Sequence, residues 1–263
     1  MTVDSAPESR TIQVGSQPVF YIYSAPPGGS HGLPVILVHG VSGTTDWWTK
    51  NWAALAAHVD VYALDLPGFG RSPLAGRFSV DDQIALVQAW MSAVGVTRAI
   101  LIGHSMGGYI VASVAIRAPE RVAALVLVDA AIFAPGRGWL RLVLGLLPAP
   151  LFVSLDFWPT LIRGFFAAGL WTVLRAARDL LAKPILQQTS AIRAPTLLLW
   201  GRRDTLVPRS VAQGVKAALA HRATGPVFLK GGHVAMWSDP HRFNGEVLAF
   251  IRNAARSEPE AEG

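Results

Sequence analysis

The chain has 263 residues, about half of them apolar, 15% charged, and none of them cysteine. This excludes disulfide, zinc-thiolate and cysteine-nucleophile chemistry, and so apolar a composition excludes a disordered polymer or a charged coiled coil. The 23 Lys and Arg against 17 Asp and Glu form no run interleaved with stacking aromatics, so nucleic acid is not an expected partner.

The first ten residues are polar and partly acidic. They lack the basic head and apolar middle of a signal peptide, so the expected location is cytoplasmic. Arg10 to Val14 and Val19 to Tyr23 read as a strand pair turning at Gly15-Ser16, an antiparallel edge to a larger sheet. Five apolar runs come next: Pro34 to His39, Val59 to Leu64, Ala99 to Ile102, Val122 to Val128 and Thr196 to Trp200. They show no two-residue alternation and therefore read as parallel strands covered on both faces. Helical spacing occupies Trp48 to Ala57, Ser79 to Val94, Met106 to Ala118, Arg209 to His221 and Pro240 to Ala255. Ser79 ahead of Asp81 and Asp82, and Asp239 ahead of Pro240, supply helix starts.

Strand-helix alternation stops between Ala134 and Ile192, where Leu, Phe, Trp and Arg are broken up by prolines. A helical insertion over one end of the sheet is expected there. The division is then a core of residues 1–133 and 192–263 with a cap, or lid, of residues 134–191. The most apolar stretch, Leu142 to Leu155, is too short to span a bilayer and contains Pro148 and Pro150, so no transmembrane segment is expected. Ser257 to Gly263 reads as a disordered tail.

Ser105 stands between the strand ending at Ile102 and the helix opening at Met106, with Gly103 and Gly107 two residues to either side. A turn this sharp strains its central residue, and side chains at the flanking positions would collide with strand and helix. With this G-x-S-x-G elbow the chain resembles the α/β-hydrolases over nearly its full length except the insertion. That resemblance implies an α/β architecture, a mostly parallel twisted sheet flanked by helices and carrying a helical cap. It also implies Ser105 as a nucleophile, which needs a base to take its proton.

His233, in Lys230-Gly-Gly-His-Val-Ala after the apolar run Pro226 to Leu229, matches the family's catalytic histidine. An imidazole in this role needs an acid to fix its tautomer. Asp204, in Gly201-Arg-Arg-Asp-Thr-Leu-Val-Pro208, resembles the family's G-x-x-D-x-x-x-P acid loop, while Asp129 at the end of its strand is the competing acid. The N–H groups of Met106 and of Val41, the latter in His39-Gly-Val-Ser-Gly43, are implied as the oxyanion hole. Asp65 is expected to be structural, and His39 and His104 to pack loops.

Trp139, Phe152, Trp158, Phe166 and Trp171 of the insertion, with Trp237 beyond His233, are the candidate substrate contacts. Their character suggests a small-molecule carboxylic ester with an apolar acyl or alkyl group as substrate. The same elbow serves carbon-carbon bond hydrolases, lactonases and acyltransferases, and a noncatalytic binding protein on this fold is the reading from another class. No G-x-G-x-x-G opens the first strand-helix unit, no Walker sequence exists and no residues have metal-ligand spacing, so no cofactor is expected. Arginines at 137, 141, 163, 175 and 178 keep an acidic acyl-carrier protein open as a partner.

Overall fold

The computed structural model describes residues 7–29, 32–134, 144–145 and 147–256. Strands β1 (Glu8–Val14) and β2 (Gln17–Ser24) form the expected hairpin. With β3 (Val35–Val38), β4 (Val61–Leu64), β5 (Ala99–His104), β6 (Val122–Val128), β7 (Thr196–Gly201) and β8 (Ala223–Leu229) they make one eight-stranded sheet, ordered β1-β2-β4-β3-β5-β6-β7-β8. The β1–β2 and β2–β4 pairs are antiparallel and every other pair is parallel. The sixth parallel strand, β8, begins three residues before the apolar run Pro226 to Leu229, at Ala223-Thr-Gly, which carries no apolar strand signal of its own.

The central strands are apolar throughout because both faces are covered. Along β3, Ile36 and Val38 join one hydrophobic core, while Val35 and Leu37 join the other. The same division continues along β5, with Leu101 on the first side and Ile100 and Ile102 on the second. Successive strand side chains point to opposite faces, so each run feeds two cores at once.

Helices α1 (Trp52–Ala56), α2 (Val80–Ala93) and α3 (Met106–Arg117) lie in the first half of the chain. Between β6 and β7 come α4 (Trp158–Ala168) and α5 (Leu170–Ala182), with short 3-10 pieces at Ala149–Phe152, Leu155–Phe157 and Leu186–Ala191. Gly169, at φ 73°, separates α4 from α5 and lets the chain bend by 91° there. The helices α6 (Arg209–Leu219), α7 (Ala235–Ser238) and α8 (Pro240–Arg256) complete the chain. The first core packs α2, α3 and α6 on the sheet, and the second packs α1 and α8, the last through Phe243, Val247 and Ile251 at four-residue spacing.

Two local expectations change. The segment expected as one helix from Trp48 to Ala57 is a 3-10 turn, Thr45–Trp48, followed by α1. Thr44 caps that turn by accepting from the Asp46 N–H, and the break lets both Trp47 and Trp48 bury. Asn51, between the two pieces, is itself buried and donates to the Met236 carbonyl and to Asn244. Asp239 does precede α8, but its carboxylate accepts from the Lys230 N–H. Ser79 caps α2 as expected, through the Asp82 N–H. The tail after Arg256 lies outside the described residues, as does Trp139.

Helix α3 sits deeper against the sheet than a helix with side chains on that face could. A methyl group at Gly107 would lie 2.1 Å from the Val38 carbonyl oxygen, and one at Gly103 would lie 2.3 Å from the Gly107 carbonyl oxygen. Both obstacles are backbone and cannot turn aside. Gly107→Ala is expected to lower stability by about 3 kcal/mol, the upper range for overpacking. At about 2–4 °C per kcal/mol for a chain of this size, thermal unfolding followed by circular dichroism should fall by on the order of 10 °C.

Candidate active site

The chain leaves β5 at His104 and enters α3 at Met106, so Ser105 alone makes the turn. Its backbone is at φ 53° and ψ −115°, a strained conformation for a residue with a side chain. Three hydrogen bonds hold it there: its N–H donates to the Val128 carbonyl, and its own carbonyl accepts from the Tyr109 and Ala131 N–H groups. Strain is thus opposed by backbone bonds from both neighbouring elements.

His233 and Asp204 come from the loops after β8 and β7, at the same end of the parallel strands as the elbow after β5. The His233 Nε2 lies 2.9 Å from Ser105 Oγ, and its Nδ1 lies 2.8 Å from Asp204 Oδ2. The other oxygen of Asp204 accepts from the Leu206 and Val207 N–H groups at 2.9 and 3.0 Å. With a carboxylate on Nδ1, the proton sits at Nδ1 and Nε2 is left bare, able to accept from the serine hydroxyl.

The competing acid has other partners. Asp129 is fully buried; its two oxygens accept from the Gly201 N–H at 2.6 Å and the Ala235 N–H at 3.3 Å. Burial first, and then the neighbouring Asp204 charge, hold its carboxyl well above the usual carboxylate range. The raised pKa makes Asp129 the harder of the two acids to ionise, and neither of its oxygens meets a ring nitrogen of His233.

The two histidines expected to pack loops are in the framework of the site. His39 Nε2 accepts from the Leu66 N–H, so its Nδ1 carries the proton and donates to the Gly40 carbonyl. His104 Nε2 donates to the His233 carbonyl at 2.7 Å, and the two rings meet at 4.9 Å with their planes tilted by 55°. The grip of His104 on His233 was not legible in the sequence, since only the fold brings residues 104 and 233 together. Asp65 is structural: it accepts from the Thr45 and Arg71 N–H groups and pairs with the Arg71 guanidinium.

The loop carrying Val41 presses on the elbow; a methyl group at Gly40 would lie 2.9 Å from Ser105 Cβ. Val41 also lines the cavity above Ser105. Met106 opens α3, where the first N–H groups have no carbonyl partner within the helix. Both N–H groups therefore belong to segments that meet at Ser105.

That cavity has a volume of about 510 Å³ and runs from Ser105 and His233 up between α4 and α5. Trp158 and Phe166 line it, as does Trp47. Three expected contacts do not. Phe152 packs on the loop leading to His233, where its carbonyl accepts from the Gly232 N–H. Trp237 is buried in the second core against Phe157, with the Lys50 ammonium over its ring. Trp171 points to solvent, because α5 turns Val173, Ala177 and Leu181 to the cavity instead. Those aliphatic positions carried no signal in the sequence beyond helical spacing.

A family model of the α/β-hydrolase fold matches residues 34–168, and the chain belongs to that family. It is 31% identical over 247 residues to the dihydrolipoyllysine-residue acetyltransferase component of acetoin cleaving system of Pseudomonas putida, over 86% of this chain and 65% of that protein. The chain thus spans less than two thirds of that relative's length. It is also 31% identical over 254 residues to the pimeloyl-(acyl-carrier protein) methyl ester esterase of Pectobacterium carotovorum, over 85% of this chain and 96% of the other. Among solved structures, a putative lipase of Acinetobacter baumannii shares the fold with a TM-score of 0.80 at 22% identity, over 96% of this chain and 93% of that one.

Burial lowers the pKa of His39, and lowers that of His104 well below 6.5, the neighbouring His233 adding to the effect on His104. An unfolded chain protonates both near 6.5, so below that pH the unfolded state holds more protons and stability falls as pH falls. The loss is at most about 1.4 kcal/mol per pH unit for each histidine. Urea unfolding across a pH series should show this decline, and His104→Gln, which cannot titrate, should make it shallower.

Proposed function

We propose that this chain is a serine hydrolase of carboxylic esters with an apolar acyl or alkyl group. The observation that carries the reading is the relay of Ser105, His233 and Asp204, at 2.9 and 2.8 Å, on the floor of an apolar cavity. Among the described residues lining that cavity no Lys or Arg occurs, and the polar ones are Ser42, His104, Ser105 and His233. An uncharged chain suits such walls better than a substrate bearing a carboxylate, which would lose its hydration with no cation to replace it.

Ser105 Oγ attacks the ester carbonyl carbon while its proton passes to His233 Nε2. Asp204 keeps the imidazole in the required tautomer and stabilises the imidazolium that forms. The carbonyl oxygen becomes an oxyanion, held by the N–H groups of Val41 and Met106. His233 then gives its proton to the departing alkoxide, the carbon–oxygen bond breaks, and an acyl-serine remains. Water repeats the sequence: it loses a proton to His233, attacks the acyl carbon, and the proton returns to Ser105 Oγ as the acid leaves. The α4–α5 segment acts as the cap, and Trp158 and Phe166 are its substrate contacts among the residues expected from the sequence. The resemblance to a methyl ester esterase agrees with this bond type.

A fluorophosphonate should label Ser105, seen by mass spectrometry as a modified peptide that Ser105→Ala lacks; labelling at any other residue would sink the assignment. Across a series of esters, kcat/KM should rise about fourfold for each added methylene, the equivalent of about 0.8 kcal/mol, until the cavity is full. A series that is flat from the shortest ester onward would contradict an apolar acyl site.

Asp204→Asn should cut kcat by about 10^4, because the amide presents the wrong partner to Nδ1. Asp129→Asn leaves both hydrogen bonds of the His233 ring in place and should cost about tenfold or less, the scale of one altered hydrogen bond. Steady-state kinetics of the two variants separate these roles.

A further inference from the structure

The catalytic relay leaves one feature of the molecule without a purpose. Every large hydrophobic side chain that is exposed among the described residues falls between Leu144 and Leu174. Leu151, Leu155, Phe166 and Trp171 are each 74% exposed or more. A soluble chain with two well-filled cores has no structural reason to gather its exposed leucines and aromatics in one segment, and patches of this kind mark contact surfaces.

The patch is continuous with the way in to Ser105. Ile162, Phe165, Phe166 and Leu174 are exposed and also line the cavity, so they form its rim. Neither α4 nor α5 is long and apolar enough to cross a membrane, and their 91° bend suits two short helices lying on a surface.

Once paired carboxylates are set aside, the charge left on this segment is positive. The exposed carboxylate of Asp156 is taken by Lys50 at 2.5 Å, and the half-buried one of Asp179 by the Val80 N–H and Lys183. Arg163, Arg175 and Arg178 are exposed. Arg163 approaches only Asp46, at 3.9 Å, and Arg175 and Arg178 form no ion pair among the described residues. An acidic carrier protein would be held by the arginines but would leave the leucines, Phe166 and Trp171 without a matching partner. A lipid surface with anionic headgroups satisfies both.

The geometry points to α4 and α5 as a docking face for an anionic lipid surface, with the mouth of the cavity opening onto the lipid. The apolar side chains enter the boundary between headgroups and acyl chains, and the arginines meet the phosphates. A water-insoluble ester then passes from the lipid along the rim of Ile162, Phe165, Phe166 and Leu174 to Ser105 without crossing water. The substrate part of this inference rests on the ester-hydrolase reading; the docking part does not.

The test uses Ser105→Ala protein and sedimentation with vesicles of phosphatidylcholine alone or mixed with phosphatidylglycerol. Binding to the mixed vesicles should be the stronger, and added salt should weaken it. Leu170→Ser with Trp171→Ser should weaken binding to both vesicles by at least about tenfold. Arg175→Glu with Arg178→Glu should abolish the gain from phosphatidylglycerol, about fivefold per arginine. With Ser105 restored, both double variants should hydrolyse a short soluble ester at the wild-type kcat/KM.

Wild-type protein that stays in the supernatant with both vesicles, or double variants that bind as well as wild type, would overturn the docking face. So would a dimer that the Leu170→Ser, Trp171→Ser variant dissociates, since a second copy would then cover the patch. Salt-sensitive turnover of a carrier-bound ester in the absence of vesicle binding would assign the face to an acidic protein instead. Vesicle binding without turnover of any ester would leave docking in place and remove only the hydrolase reading.

Discussion

The site depends on how closely α3 approaches the sheet. With hydrogen in place of a side chain at Gly103 and Gly107, the helix start rests on the β3 carbonyls, and the residue between them is lifted clear. Ser105 holds its positive φ because Val128, Tyr109 and Ala131 bond to its backbone. Were α3 to move outward to make room, Oγ would leave the position from which it meets His233. The loop of Val41, which touches the elbow at Gly40, would lose its contact in the same movement.

Charge in this site is confined by burial. Four titratable groups lie beneath or beside the serine: Asp129, Asp204, His104 and His233. The pKa of Asp129 is pushed well up and that of His104 well down, each chiefly by the cost of carrying charge in a dry interior. The Asp204 side chain faces the His233 imidazole at 2.8 Å. A charged His104 would set a cation 4.9 Å from the His233 ring. Hydrogen bonds from Leu206, Val207, Gly201 and Ala235 fix both carboxyl groups in place.

The segment between β6 and β7 joins several roles in few residues. Its inner surface supplies the aliphatic and aromatic walls of the cavity, and Phe152 braces Gly232 ahead of His233. Asp179 reaches back to the start of α2, tying the segment to the core. Its outer surface keeps apolar side chains in water. This combination of firm attachment at the base and exposed apolar surface at the rim is what the proposed lipid docking requires.

Much was legible in the sequence because it depends on neighbours along the chain. The apolar runs of β3, β5, β6 and β7 announce a sheet covered on both sides, since a strand with one wet face would alternate. The glycines around Ser105 announce a tight turn, and the loops holding Asp204 and His233 could be matched to a family pattern. The division of Trp48 to Ala57 into two pieces was not legible, nor was the start of β8 at Ala223. In both places distant packing, of Trp47 and Trp48 in one case and the β7 edge in the other, overrides local propensity. The sequence by itself determined which residues can do chemistry and the order in which the fold receives them. Only the tertiary structure decided that Asp204 and not Asp129 faces the imidazole, that His104 grips the His233 backbone, and that Trp171 looks outward while Trp158 looks in. These are matters of direction in space between residues up to 129 positions apart. A one-dimensional pattern records spacing along the chain, whereas which side chain meets which is set by how sheet, elbow and helices are packed.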